Sequence, residues 1–210
     1  MPYFKNDIIN ILFIHIPKTG GTSLENYFSS KFNIPLNNKS LYLFMDEKEK
    51  KEKNIMINSS LQHITYSQMI KYNDIFHIDF KNLKIITIVR NPYERLISDF
   101  FFLKLMNVNT TKEEVFNILQ KYLASNDYDN HNIPQYNFIV DIKSSNNISI
   151  LKTENLINGM HKLGYTDFDI FSNVNPDKVD YYHYLNNDSI KLINKFYYYD
   201  FILFNYSFLS

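Results

Sequence analysis

The apolar positions of this chain change period several times, and each change predicts an element. Residues 11–16 carry Ile11, Leu12, Phe13, Ile14 and Ile16, a largely β-favouring run that stops at Pro17. Over residues 24–28 the spacing turns helical. Residues 83–89 (LKIITIV) are rich in β-branched side chains, the pattern of a strand buried on both faces of a parallel sheet. That run ends at Arg90-Asn91-Pro92. Beyond it Leu96, Phe100 and Leu103 fall on one helical stripe, with Arg95 and Ser98 turned elsewhere. Residues 148–151 (ISIL) read as a late strand. Strands alternating with helices predict an α/β fold with a mostly parallel central sheet.

Local signals mark where helices begin. Thr65 with Gln68, and Thr111 with Glu114, have capping-box spacing, predicting helices from about residue 65 to 72 and from 112 to 123. Asn91 suits an N-cap, Pro92 the first helical position, and Glu94 a box with Asn91. A helix opens at 153–156 and ends near Gly164. Asn187 or Asp188 caps the last helix, whose stripe of Phe196, Tyr199, Ile202 and Phe204 is expected in the core. Residues 55–57 read as a short strand, which puts His63 in a turn before the helix at Thr65. Residues 46–53 (DEKEKKEK) read as a solvated face, residues 125–132 as a polar loop, and 171–180 as a loop around Asn175-Pro176.

Bulk properties narrow the function classes. At 210 residues one domain spanning 1–210 is expected, and no internal repeat appears. The formal net charge is +0, so no broad basic field draws nucleic acid or an anionic membrane. No cysteine is present, which excludes disulfides and thiolate metal sites and fits a cytoplasmic setting. No signal-peptide pattern and no membrane-spanning run is seen.

The candidate chemistry starts at residues 17–23. A strand, a glycine-bearing loop and a helix start aim backbone N–H groups and a positive dipole end at one point. Lys18, Thr19, Gly20, Gly21, Thr22 and Ser23 add a lysine and three hydroxyls, so the loop suits a phosphate or sulfate. It is not the NTPase P-loop, in which lysine directly follows the last glycine; here Lys18 precedes both glycines. Residues 15–24 (HIPKTGGTSL) instead resemble the 5′-phosphosulfate loop of sulfotransferases that use 3′-phosphoadenosine 5′-phosphosulfate (PAPS), most closely the glycan-modifying branch. Residues 90–98 (RNPYERLIS) are similar to that family's 3′-phosphate motif, with Arg90 and Ser98 at the matching positions. Weaker likenesses extend to residues 62–65 (QHIT, with Gln62 where a glycine is usual), 131–135 (HNIPQ), 152–156 (KTENL) and 199–206. In some relatives a loop matching 171–178 closes over the cofactor, although Pro176 here stands where a hydroxyl is usual.

The resemblance implies a P-loop-NTPase-like three-layer fold and PAPS as sulfuryl donor. It also implies a carbohydrate or glycoconjugate as hydroxyl acceptor. Parallel sheets bind ligands at the carboxyl ends of their strands, where Lys18 and Arg90 both fall. Sulfuryl transfer resembles phosphoryl transfer in relying on positioning and charge stabilisation, with Lys18 and its loop at the leaving group. Among six histidines, His63 is the candidate base, with Glu25 or Glu154 as substitutes. His15 reads as a packed residue, and His131 as an acceptor-side contact or a solvated position. No acidic pair for a divalent metal follows the central strand, so none is expected to be required. Two rival readings stay open: a nucleotide kinase or other NTPase with an aberrant loop, and a PAPS-fold module that binds without turnover.

Overall fold

The computed structural model describes residues 1–125, 128–142, 148–169 and 180–210. The chain opens with strands β1 (Tyr3–Lys5) and β2 (Asn10–Ile14), then helix α1 (Gly21–Phe32). Helices α2 (Glu47–Glu52), α3 (Tyr66–Lys71) and α4 (Asn73–Phe76) precede strand β3 (Lys84–Val89). Helices α5 (Pro92–Phe102) and α6 (Lys112–Ala124) lead to strand β4 (Ile148–Lys152) and helix α7 (Leu156–Lys162). Helices α8 (Asn187–Phe196) and α9 (Tyr198–Phe204) follow.

The four strands form one open sheet in the order β1-β2-β3-β4. β2, β3 and β4 run parallel, with Ile14 opposite Thr87 and Thr87 opposite Ile150, and β1 is antiparallel at the edge. Alternation along each strand sorts side chains to two faces. Ile11, Phe13, Ile86 and Ile88 pack on Leu24 and Phe28 of α1 and on Leu156 and Met160 of α7. Leu12, Ile14, Ile85 and Val89 pack on the other face against Ile64, Met69 of α3, and Phe138. The result is an α/β fold with a mostly parallel sheet between helical layers. A third apolar cluster joins α5, α6, α8 and α9 through Tyr93, Phe100, Tyr122, Ile193 and Phe201.

The capping boxes expected at Thr65–Gln68 and Thr111–Glu114 are both present. Residues 46–53, expected as a solvated loop or helix face, are largely exposed and contain the α2 helix, with Lys50 alone buried and paired to Glu47. Three local expectations fail. Residues 55–57 form no strand, and His63 instead ends a short 3-10 turn, Leu61–His63. Asn91 does cap α5, accepting from the Tyr93 amide at 3.0 Å, but Glu94 does not close the box. Its place is taken by Glu154, which accepts from the Asn91 amide at 2.8 Å. At the C-terminal end Asn186 is the cap, and the helix breaks at Tyr197. That break shifts the phase of the stripe. Tyr197, Phe201 and Phe204 are buried, whereas Tyr199 and Ile202 are more than half exposed. The loop expected at 171–178 lies outside the described residues.

Candidate active site

The turn after β2 places the first half of the site. Lys18 takes a left-handed φ of 65° and Gly20 one of 88°, a tight path that brings the chain round onto α1. A non-glycine residue in this region costs roughly 1–2 kcal/mol, so Lys18 holds backbone strain at the loop. Gly20 is the N-cap, and no side chain satisfies the first-turn amides of this twelve-residue helix. The ring of His15 lies directly over Gly21, where a Cβ would stand 2.4 Å from Cδ2. The Thr19 side chain is fully buried and its hydroxyl donates to the Ile16 carbonyl at 2.8 Å. Its contribution to a bound anion is therefore confined to its amide. Thr22 stays partly exposed and Ser23 is buried.

The turn after β3 supplies the second half. Since β2 and β3 are adjacent and parallel, Arg90 emerges beside the first turn. Its Nη1 lies 3.4 Å from the Lys18 carbonyl. The Lys18 and Arg90 turns are thus direct neighbours on one end of the sheet. The guanidinium also meets Glu94 at 3.3 Å and lies 5.0 Å from the centroid of the Tyr181 ring. Its main chain is clamped: the Gln135 side chain accepts from the Arg90 amide at 2.9 Å and donates to its carbonyl at 2.9 Å. Asp200 in turn accepts from the amides of Gln135 and Tyr136 at 2.8 and 2.9 Å. Burial pushes the Asp200 carboxyl up to about 6 against the pull of those amides. Ser98 sits two turns along α5, partly buried; among the described residues no hydrogen bond ties it to either cation.

Lys18 Nζ rests 3.9 Å from the centroid of the Phe102 ring. Burial lowers its pKa, with Arg90 adding to that effect and Asp99 opposing it. Phe102 stacks on His131 at 5.7 Å, His131 meets His63 edge-on at 5.0 Å, and His63 meets His15 edge-on at 5.0 Å. Each of these three histidines has a carboxylate on Nδ1: Glu25 on His15 at 2.5 Å, Asp129 on His63 at 2.7 Å, and Asp99 on His131 at 2.6 Å. Such a partner fixes the ring and directs the other nitrogen outward. Burial lowers the His63 pKa to about 4, even though the Asp129 hydrogen bond works the other way. His63 is consequently an uncharged imidazole at neutral pH. Burial alone would raise Asp129, but hydrogen bonds from His63 and Ser60 outweigh it and hold the carboxyl below its ordinary range.

The other expected participants are occupied. Glu25 is fully buried between His15 and the Gln62 amide, which donates to both of its oxygens at 2.9 and 3.0 Å. The residue that departs from the usual glycine therefore has a partner of its own. Glu154 is spent on Asn91 and the Tyr206 hydroxyl. His131 is neither solvated nor free, being 7% exposed and paired.

Four residues escaped the sequence reading. Asp129 lies in the stretch taken as a polar loop. Asp129 and Asn130 both adopt left-handed φ, 50° and 62°, a conformation that Asp and Asn tolerate best, and an Asp-Asn doublet is its one local signal. Asp99 accepts from the Tyr122 hydroxyl as well as His131. Arg95, 3% exposed, donates to the carbonyls of Pro17, Ile133 and His131 at 3.0, 3.1 and 2.6 Å. It ties the first turn to the His131 segment. Gln135, within the HNIPQ segment, holds the Arg90 main chain, a role that no local pattern signals.

A mostly parallel sheet with cationic turns at the carboxyl ends of two neighbouring strands defines an α/β architecture suited to anionic ligands. The sulfotransferase family model matches residues 1–207, and the chain belongs to the sulfotransferase family. Among curated proteins none matches it. No helix among the described residues is long and apolar enough to cross a membrane.

Proposed function

We propose that residues 1–210 act as one sulfotransferase domain that uses PAPS to sulfate a hydroxyl of a carbohydrate or glycoconjugate. The observation carrying this reading is the adjacency of the two cationic turns: Arg90 Nη1 lies 3.4 Å from the Lys18 carbonyl. Two cations on adjacent strand ends suit a ligand with phosphate at two positions better than a simple anion. The uncapped start of α1 and the left-handed Gly20 add an open amide cradle that a side chain at residue 20 would strain.

Bound PAPS supplies an activated sulfuryl group with a phosphate leaving group. The chain's own residues then divide the work. Lys18 and the amides of Thr19, Gly20, Gly21, Thr22 and Ser23 offset charge developing on the leaving oxygen. Arg90 and Ser98 hold the 3′-phosphate. His63, kept neutral by burial, takes the acceptor hydroxyl's proton on Nε2 while Asp129 holds Nδ1–H and stabilises the imidazolium that forms. The reading uses no ion for transfer.

Calorimetric titration with adenosine 3′,5′-bisphosphate against ADP tests the donor site, with the bisphosphate expected to bind more tightly. A preference for ADP would sink the reading in favour of a nucleotide kinase. Turnover of labelled PAPS on a glycan panel tests the acceptor class; bisphosphate binding with no transfer to any glycan would indicate a binding module or another acceptor.

A further inference from the structure

We propose that His63, Asp129 and His131 form a binding site for a divalent cation of the Zn²⁺ class. One donor atom from each of the three lies within 4.8 Å of the others, and both imidazoles are buried. Two imidazoles and a carboxylate are the donor set that borderline divalent ions take when a fourth position is left to a water or ligand. The proposal rests on the arrangement of these side chains and does not require His63 to be a base.

The supporting shell points the same way. Asp99 sits 2.6 Å from Nδ1 of His131, which leaves Nε2 with its lone pair for an ion. This carboxylate–histidine pairing is the usual outer shell of a metal-bound imidazole. Asp129 is held at both oxygens, by the Ser60 amide at 2.5 Å and the Ser60 hydroxyl at 3.0 Å. Asn130 fixes the main chain at His63, donating to its carbonyl at 2.9 Å. Asp129 and Asp99 together supply two negative charges to balance a divalent ion.

The plain alternative is a hydrogen-bonded His63–Asp129 pair with no ion. Their contact of 2.7 Å is short for two ligands of one tetrahedral ion, so loading the site opens it by roughly 0.6–0.9 Å, given metal–ligand distances of about 2.0–2.2 Å. If His63 ligates through Nδ1, its proton moves to Nε2; if it ligates through Nε2, the proton stays on Nδ1. The imidazole remains neutral in both cases. In the second case the ion holds the lone pair that acceptor activation uses, so ion binding and transfer exclude each other.

The test is titration of the untagged, metal-free chain with ZnCl₂ by calorimetry, with elemental analysis after desalting. One ion per chain is expected, with affinity lowered about 100-fold or more in His131→Gln and in Asp129→Asn. Circular dichroism of each variant checks the fold. Visible d–d absorption of the wild-type chain with Co²⁺ reports a four-coordinate site without any substitution. Failure of the wild-type chain to take up stoichiometric Zn²⁺, or uptake unchanged in both variants, overturns the proposal. Adenosine 3′,5′-bisphosphate binding on the same samples reads the donor site separately, so failure there is distinguishable from failure here.

Discussion

The two turns that leave the carboxyl ends of β2 and β3 face each other and meet their helices by opposite means. After β2 the chain strains Lys18 and Gly20 into left-handed conformations and starts α1 without a side-chain cap. The Ser23 amide turns back onto the Gly20 carbonyl at 3.2 Å, so the backbone alone closes this helix start. After β3 the helix start is closed: Asn91 accepts from Tyr93, Pro92 removes a donor, and Glu154 takes the Asn91 amide. There the side chain that the proposed reading turns to the ligand is Arg90, on a main chain clamped by Gln135. On that reading one turn holds its ligand with backbone and the other with a guanidinium. The first is accordingly intolerant of any change in shape, and the second of a change in charge.

The largest expected effect separates both turns from the chemistry. His63→Ala lowers transfer by about 10²–10⁴-fold, the range for loss of a general base, while bisphosphate affinity measured by calorimetry stays the same. Wild-type turnover in that variant ends the base assignment.

Acid stability isolates the same histidine. Between pH 6.5 and about 4 the unfolded chain protonates His63 and the folded chain does not, so His63 makes stability fall as pH drops through that window. The shift corresponds to on the order of 3 kcal/mol. Asp200, raised to about 6 by burial, acts with the opposite sign over an overlapping window. Denaturant melts should therefore compare wild type with His63→Gln: the stability difference should be constant above pH 7, and wild type should lose stability relative to the variant as pH falls toward 4.

Within the turns, Arg90→Ala should weaken adenosine 3′,5′-bisphosphate by about 10–100-fold and ADP much less, as loss of charge-assisted hydrogen bonds implies. Lys18→Ala should weaken both ligands alike. Equal losses in the two variants would erase the proposed distinction between the turns. Gly21→Ala drives a Cβ to 2.4 Å from the His15 ring. It should cost about 1–3 kcal/mol of stability by overpacking, read as a lowered urea midpoint. Asn91→Ala removes an ordinary cap and should cost only about 1 kcal/mol, with ligand affinity nearly intact.

What was legible in the sequence was local. The β3 run, the boxes at Thr65 and Thr111, and the glycine loop are all settled by residues within a few positions of one another. The misreadings share a different cause. Glu154 replaces Glu94 as partner of the Asn91 amide across 63 positions of chain, and Asp129 reaches His63 across 66. Neither pairing leaves a periodic trace. The break at Tyr197 was hidden because the residues on both sides of it are equally aromatic, so a one-position slip of phase looks the same in composition. β1, only three residues long, forms an edge strand too short to show an alternation. The site was thus readable as two cationic loops, but not as a stack of histidines with a carboxylate behind each.

The Gln135 clamp ties the Arg90 turn to the C-terminal helices. Asp200 fixes the amide of Gln135, and Gln135 fixes both main-chain polar groups of Arg90. A displacement of Asp200 in α9 therefore reaches the Arg90 turn through Gln135, without any direct contact between the two.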